Sequence, residues 1–93
     1  MNERYQLEYG SRFVKDLKLA KRRGFDLAQL KAVTDMLQDG IKLPANYRDH
    51  LLTGNYGGYR ECHINPDWLL IYSRKDTVRI ISLYRTGTHS DLF

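Results

Sequence analysis

Three histidines, His50, His63 and His89, all fall in the second half of a 93-residue chain. Imidazole ordinarily titrates near neutrality, so it can accept a proton in one step and return one in the next. Scattered histidines in a small protein are most often incidental, and only their surroundings argue otherwise. His63 and Asp67 flank Ile64-Asn65-Pro66. A tight hairpin there would set the two opposite each other, Cβ atoms about 4.5–5.5 Å apart. A carboxylate at that range orients an imidazole and fixes its tautomer. Arg85 stands just before His89 in the tail and is a candidate phosphate clamp, because a guanidinium fork matches two phosphate oxygens. A solvated arginine at a strand end fits the same position. Trp68 and Phe93 complete the set. Either ring suits a core, but a phenylalanine at residue 93 is hard to bury and better suits stacking on a base.

These groups match the cleavage of an RNA phosphodiester. The nucleophile is then the substrate's own 2′-hydroxyl, and the protein has to accept its proton, neutralise the phosphorane and protonate the departing 5′-oxygen. Two imidazoles and a guanidinium meet those needs with no cofactor. Nothing in the spacing asks for a metal. Cys62 and His63 are neighbours on a predicted strand and so point to opposite faces, and no CxxC or HxxxH pair exists.

The elements that must position these residues follow from periodicity. Tyr5, Leu7 and Tyr9 alternate with polar residues as a strand does. Phe13, Leu17 and Ala20 recur at helical spacing, with Ser11 as the expected cap and Gly24 as the stop. Lys15, Lys18 and Arg22 fall on the opposite face of that helix, where Leu19 is an expected exposed apolar residue. Asp26 and Gln29 have the form of a capping box opening a second helix, which Gly40 ends. Residues 45–55 are irregular. Three strand-like runs follow at 59–64, 68–73 and 78–84, so the expected architecture is α+β: a leading strand, a helix hairpin on one side, then an antiparallel meander.

Composition bounds the class. The length allows one domain, residues 1–93. Fifteen Lys and Arg against eleven Asp and Glu give a net charge of +4, which favours an anionic partner without identifying it. One cysteine forms no internal disulfide. The N-terminal residues lack the apolar run of a signal peptide and no stretch is long enough to span a bilayer, so a cytoplasmic protein with no membrane partner is expected.

Four blocks in order, Tyr47-Arg48-Asp49-His50, residues 58–64 (GYRECHI), residues 66–72 (PDWLLIY) and residues 85–93 (RTGTHSDLF), resemble the YafQ-type branch of the RelE toxin superfamily. The resemblance runs through essentially the whole chain and implies a RelE-like microbial ribonuclease fold. Carried over, His50, His63, Asp67, Trp68, His89 and Phe93 line the active site. His89 is then the candidate general acid, and either His50 or His63 the base. Asp67 orients a histidine and Arg85 stabilises the phosphorane. Such toxins cleave mRNA in the ribosomal A site, leaving a 2′,3′-cyclic phosphate and a 5′-hydroxyl, with a leaning toward adenine-rich lysine codons. A RelB/DinJ-type antitoxin neutralises them, and operator DNA is met only through that complex. On this reading Lys15, Lys18 and Arg22 dock on ribosomal RNA. The competing readings are a non-nuclease inhibitor of DNA gyrase like the ParE relatives and an inactive toxin kept as a co-repressor; the His–Asp–His set argues against both.

Overall fold

The computed structural model describes residues 4–93. Met1, Asn2 and Glu3, part of the segment expected to lack a signal peptide, lie outside the described residues. The chain forms β1 (Gln6–Tyr9), α1 (Ser11–Arg22), α2 (Leu27–Gln38), β2 (His50–Leu51), β3 (Arg60–Asn65), β4 (Trp68–Lys75), β5 (Ile80–Gly87) and α3 (His89–Leu92), with single 3-10 turns at Ala45–Tyr47 and Gly54–Tyr56. The strands make one sheet in the order β1-β5-β4-β3-β2. The expected meander is β3-β4-β5, antiparallel throughout. Periodicity did not foretell that β1 pairs with β5 in parallel, nor that the short β2 closes the other edge.

Both faces of the sheet are covered, unequally. Phe13 and Ala20 of α1 and Leu30, Val33 and Leu37 of α2 pack with Cys62, Ile64, Leu70, Tyr72, Ile81 and Leu83 to form the main core. Burying each large apolar side chain contributes roughly 1.5–3 kcal/mol. On the opposite face Leu69 and Ile71 are covered by Leu92 of α3, with Leu52, Tyr56, Tyr59 and Tyr84 around them. That second face carries the histidines.

Two capping expectations are corrected. Gly10, not Ser11, is the N-cap of α1 and uses no side chain. The chain turns there against β5, with Gly10 N–H on the Leu83 carbonyl at 3.0 Å. A Cβ on Gly10 would meet that oxygen at 3.0 Å, so only glycine passes without displacement. Asp26 does cap α2, accepting from Ala28 N–H at 3.0 Å. Gln29 does not close the box; its side chain accepts from Asn65 at 3.0 Å and ties α2 to the β3–β4 turn. Among the described residues no helix is long and apolar enough to cross a membrane.

Candidate active site

Side chains alternate along β3, so Cys62 and Ile64 enter the core while Glu61 and His63 share the other face. The ladder pairs His50 of β2 directly with Glu61, which brings His50 to the same face. The result is one carboxylate between two imidazoles. Oε1 of Glu61 lies 3.6 Å from Nε2 of His50 and 3.7 Å from Nε2 of His63. Both distances are ion-pair range and longer than a formed hydrogen bond. Glu61 is only 5% exposed, and its Oε2 is buried without a partner. A buried carboxylate oxygen without a protein partner costs stability, and so marks Glu61 as a residue whose placement calls for an explanation.

His50 is held by its neighbours in sequence. Its Nδ1 lies 2.8 Å from the Arg48 carbonyl. A carbonyl only accepts, so Nδ1 carries the proton and Nε2, turned toward Glu61, is left to take one. Arg48 itself adopts a left-handed backbone, φ 49° and ψ 44°, a conformation costing a non-glycine residue of order 1–3 kcal/mol. Asp49 anchors the segment by accepting from Tyr72 Oη at 2.5 Å and from Arg60 Nε at 3.2 Å. Burial and then the Asp49 carboxylate push the Tyr72 phenol well up, so it stays a donor.

The tail reaches the same face by a different route. Across the sheet His63 pairs with Leu69 and Leu69 with Gly87; Glu61 pairs with Ile71. Leu92 of α3 packs on Leu69 and Ile71, the direct cross-strand neighbours of His63 and Glu61. The helix that begins at His89 thus docks on the face that carries His50 and His63, against β4, the strand next to β3. Thr88 and Asp91 close a reciprocal capping box, and Arg23 grips Asp91 at 2.6 and 3.3 Å. That grip, with the Thr88 N–H second, lowers the Asp91 pKa to about 2. Gly87 leaves room for it, since a Cβ there would meet Asp91 at 3.0 Å. His89 and Phe93 are exposed, with ring centroids 5.0 Å apart, and Tyr56 meets Phe93 edge-on at 5.3 Å.

Several expected placements are corrected. His63 and Asp67 do not face each other. Asn65 and Trp68 close the hairpin, Pro66 and Asp67 form its turn, and a bulge between His63 and Asn65 sets His63 opposite Leu69. Asp67 is exposed, and the carboxylate beside His63 is Glu61. Trp68 is no stacking platform: it is 1% exposed and packs edge-on against Phe25 at 5.0 Å, because the first residue of β4 points into the main core. Arg85 is not open to a phosphate. Where β1 ends, Asp16 of α1 covers the bare edge of β5, taking the Arg85 fork at 2.6 and 3.2 Å and the Thr86 N–H at 3.1 Å. Leu19 is half-buried between α1 and the end of β5.

Lys15, Lys18 and Arg22 are exposed on α1 as expected. Burial pushes the Cys62 thiol far up, so it offers no thiolate nucleophile. Among the described residues no group of His, Cys, Asp and Glu is arranged to hold a metal ion. Glu61 is the residue missed in the sequence. Its signal was there: a carboxylate and an imidazole two apart on one strand, around a cysteine, must share a face.

Comparison with known proteins agrees with this fold. A model of the bacterial toxin YafQ, of type II toxin–antitoxin systems, matches residues 5–93. The mRNA interferase toxin YafQ of Escherichia coli strain K12 is 43% identical over 88 residues, 94% of either chain. The toxin in the crystal structure of the E. coli DinJ–YafQ toxin–antitoxin complex superposes with a TM-score of 0.87 at 42% identity, over 97% of this chain and 98% of that one. A metal-bound toxin from Helicobacter pylori superposes with a TM-score of 0.88 at 40% identity, over 96% of this chain and 99% of that one. The chain belongs to the YafQ family of bacterial toxins of type II toxin–antitoxin systems.

Proposed function

We propose that the chain is an endoribonuclease that cleaves mRNA in the ribosomal A site by metal-independent acid–base catalysis. The observation that carries this reading is the buried Glu61 carboxylate between His50 and His63, with the His89 helix docked on the same face of the sheet. His50 is the base: its Nδ1–H is committed to the Arg48 carbonyl, and its unprotonated Nε2, beside Glu61, takes the proton of the 2′-hydroxyl. Glu61 stabilises the imidazolium so formed, and His63 on the same oxygen shares that charge. His89 protonates the departing 5′-oxygen. Phe93 stacks on a base, steadied by Tyr56, and exposed Asp67 faces the RNA from the hairpin turn. Products are a 2′,3′-cyclic phosphate and a 5′-hydroxyl.

The surroundings of the site extend the proposal. Lys15, Lys18 and Arg22 dock on ribosomal RNA, and a DinJ-like antitoxin neutralises the toxin, as the solved complex of the similar E. coli protein suggests. Metal in the similar H. pylori toxin makes metal independence the point to test. Chelator-treated protein, added to ribosomes whose own magnesium is retained, should cut the A-site codon at the rate of untreated protein, and mRNA ends should map there. Cleavage that returns only on adding zinc or manganese would overturn the mechanism. Cleavage of free RNA at an equal rate would overturn the ribosome dependence.

A further inference from the structure

We infer that Arg48 is the residue that meets the scissile phosphate. The inference rests on the nuclease reading and supplies what that reading lacks, a cation for the phosphorane. Two arginines near the histidines are already committed: Arg85 gives its fork to Asp16 and Arg60 gives its own to Asp49. Arg48 differs from both. It is exposed, and no carboxylate holds it among the described residues.

Arg48 is held beside the site by its backbone. With His63, Asn46 and Asn65 it lines a groove of about 410 Å³. Its carbonyl accepts from Nδ1 of His50, so the backbone that sets the base also sets the arginine. The left-handed φ of 49° places this residue out of the run of β2, and the Asp49 anchor that follows holds it there. Strained backbone at an exposed cationic residue beside two imidazoles is the arrangement of a preorganised anion site. As the 2′-oxygen attacks, negative charge gathers on the non-bridging phosphate oxygens, and the guanidinium donates to them. No proton leaves the arginine in this step; its contribution is charge and two hydrogen bonds.

The test uses ribosomes programmed with an A-site codon in two forms, native RNA and a 2′-O-methylated form that cannot be cut. The second form is made with either a phosphodiester or an uncharged methylphosphonate at the scissile linkage. Arg48→Gln should slow single-turnover cleavage of native RNA by ~10²–10³-fold, and Arg48→Lys should restore part of the loss. Removing the phosphate charge should weaken binding of the wild-type toxin several-fold and leave Arg48→Gln binding unchanged. Arg48→Gln cleaving within twofold of wild type would overturn the inference. So would an equal methylphosphonate penalty in both proteins, or a penalty erased by Arg85→Gln instead. Should wild type bind but not cut while the penalty pattern holds, the nuclease reading fails and the phosphate site stands.

Discussion

The two halves of the site are built differently. His50, Glu61 and His63 ride on the sheet, set by ladder pairing and by Asp49 under the edge strand. His89 and Phe93 ride on a four-residue helix held by one apolar anchor, Leu92, by the Tyr56 hydroxyl on the Leu92 carbonyl, and by the side chains of Arg23, Thr88 and Asp91. A backbone ladder keeps its geometry when a side chain is changed; a helix this short has little cooperativity of its own. The base side should therefore be sensitive to changes in its chemistry, and the acid side also to changes in its mooring. Only the base side carries a buried, unsatisfied oxygen, so only there should activity and stability move in opposite directions.

The largest effect should come from His89→Ala, with single-turnover cleavage slower by ~10²–10⁴-fold and a thermal melt close to wild type, since His89 is exposed. A much lower melt with unchanged rate would reassign the acid to the sheet histidines. Glu61→Gln comes next. It leaves the fold in place and removes the charge, so the rate should fall by about 10²-fold as the imidazoles lose their orienting partner. The melt should hold or rise, by about 4–8 °C for each kcal/mol of desolvation relieved. A lower melt together with an unchanged rate would mean that Glu61 is structural.

Asp16→Asn sharpens the contrast from outside the site. It frees the Arg85 fork and the edge of β5, at a cost of about 1–3 kcal/mol in stability. Urea unfolding should record that loss while activity per folded molecule changes little. A gain in cleavage would show Arg85 released to the phosphate.

Smallest is the mooring of α3. Arg23→Ala should slow cleavage roughly 2–5-fold, the scale of a partly exposed ion pair. Its stability deficit should depend on pH in a set direction. Asp91 is lowered to about 2 by Arg23 and by the Thr88 N–H. A lowered carboxylate stabilises the fold above its unfolded value of about 3.9 and loses that contribution as pH falls through the folded value. Melts of wild type and Arg23→Ala should thus differ by a constant amount above pH ~5 and converge between about 4 and 2. A gap that widens toward acid would contradict the assignment.

Much of the scaffold was legible in the sequence because it is written in local periods. The Phe13–Leu17–Ala20 stripe, the Asp26 cap and the strand-like runs that form β3, β4 and β5 all act within one element. The misreadings came from contacts that no local pattern carries. A bulge between His63 and Asn65 moved Asp67 out of register with His63. Asp16, 69 residues from Arg85, claimed the expected clamp. Trp68 entered the core because the strand begins on that residue, a matter of which face β4 starts on. Glu61 shares a strand face with His63 by spacing alone, but a lone glutamate beside Arg60 reads as a solvated charge until β2 is known to pair alongside it and bring His50 to that face.

The proposed division of labour, with the base on the sheet and the acid on the tail, is tested most directly by a sulfur leaving group. An mRNA whose scissile 5′-oxygen is replaced by sulfur expels a thiolate that needs no proton. On programmed ribosomes treated with this substrate, His89→Ala should cleave within a few-fold of wild type, while a His50→Ala variant should remain as impaired as on native RNA. Persistent impairment of His89→Ala on the sulfur substrate, or rescue of His50→Ala instead, would contradict the assignment.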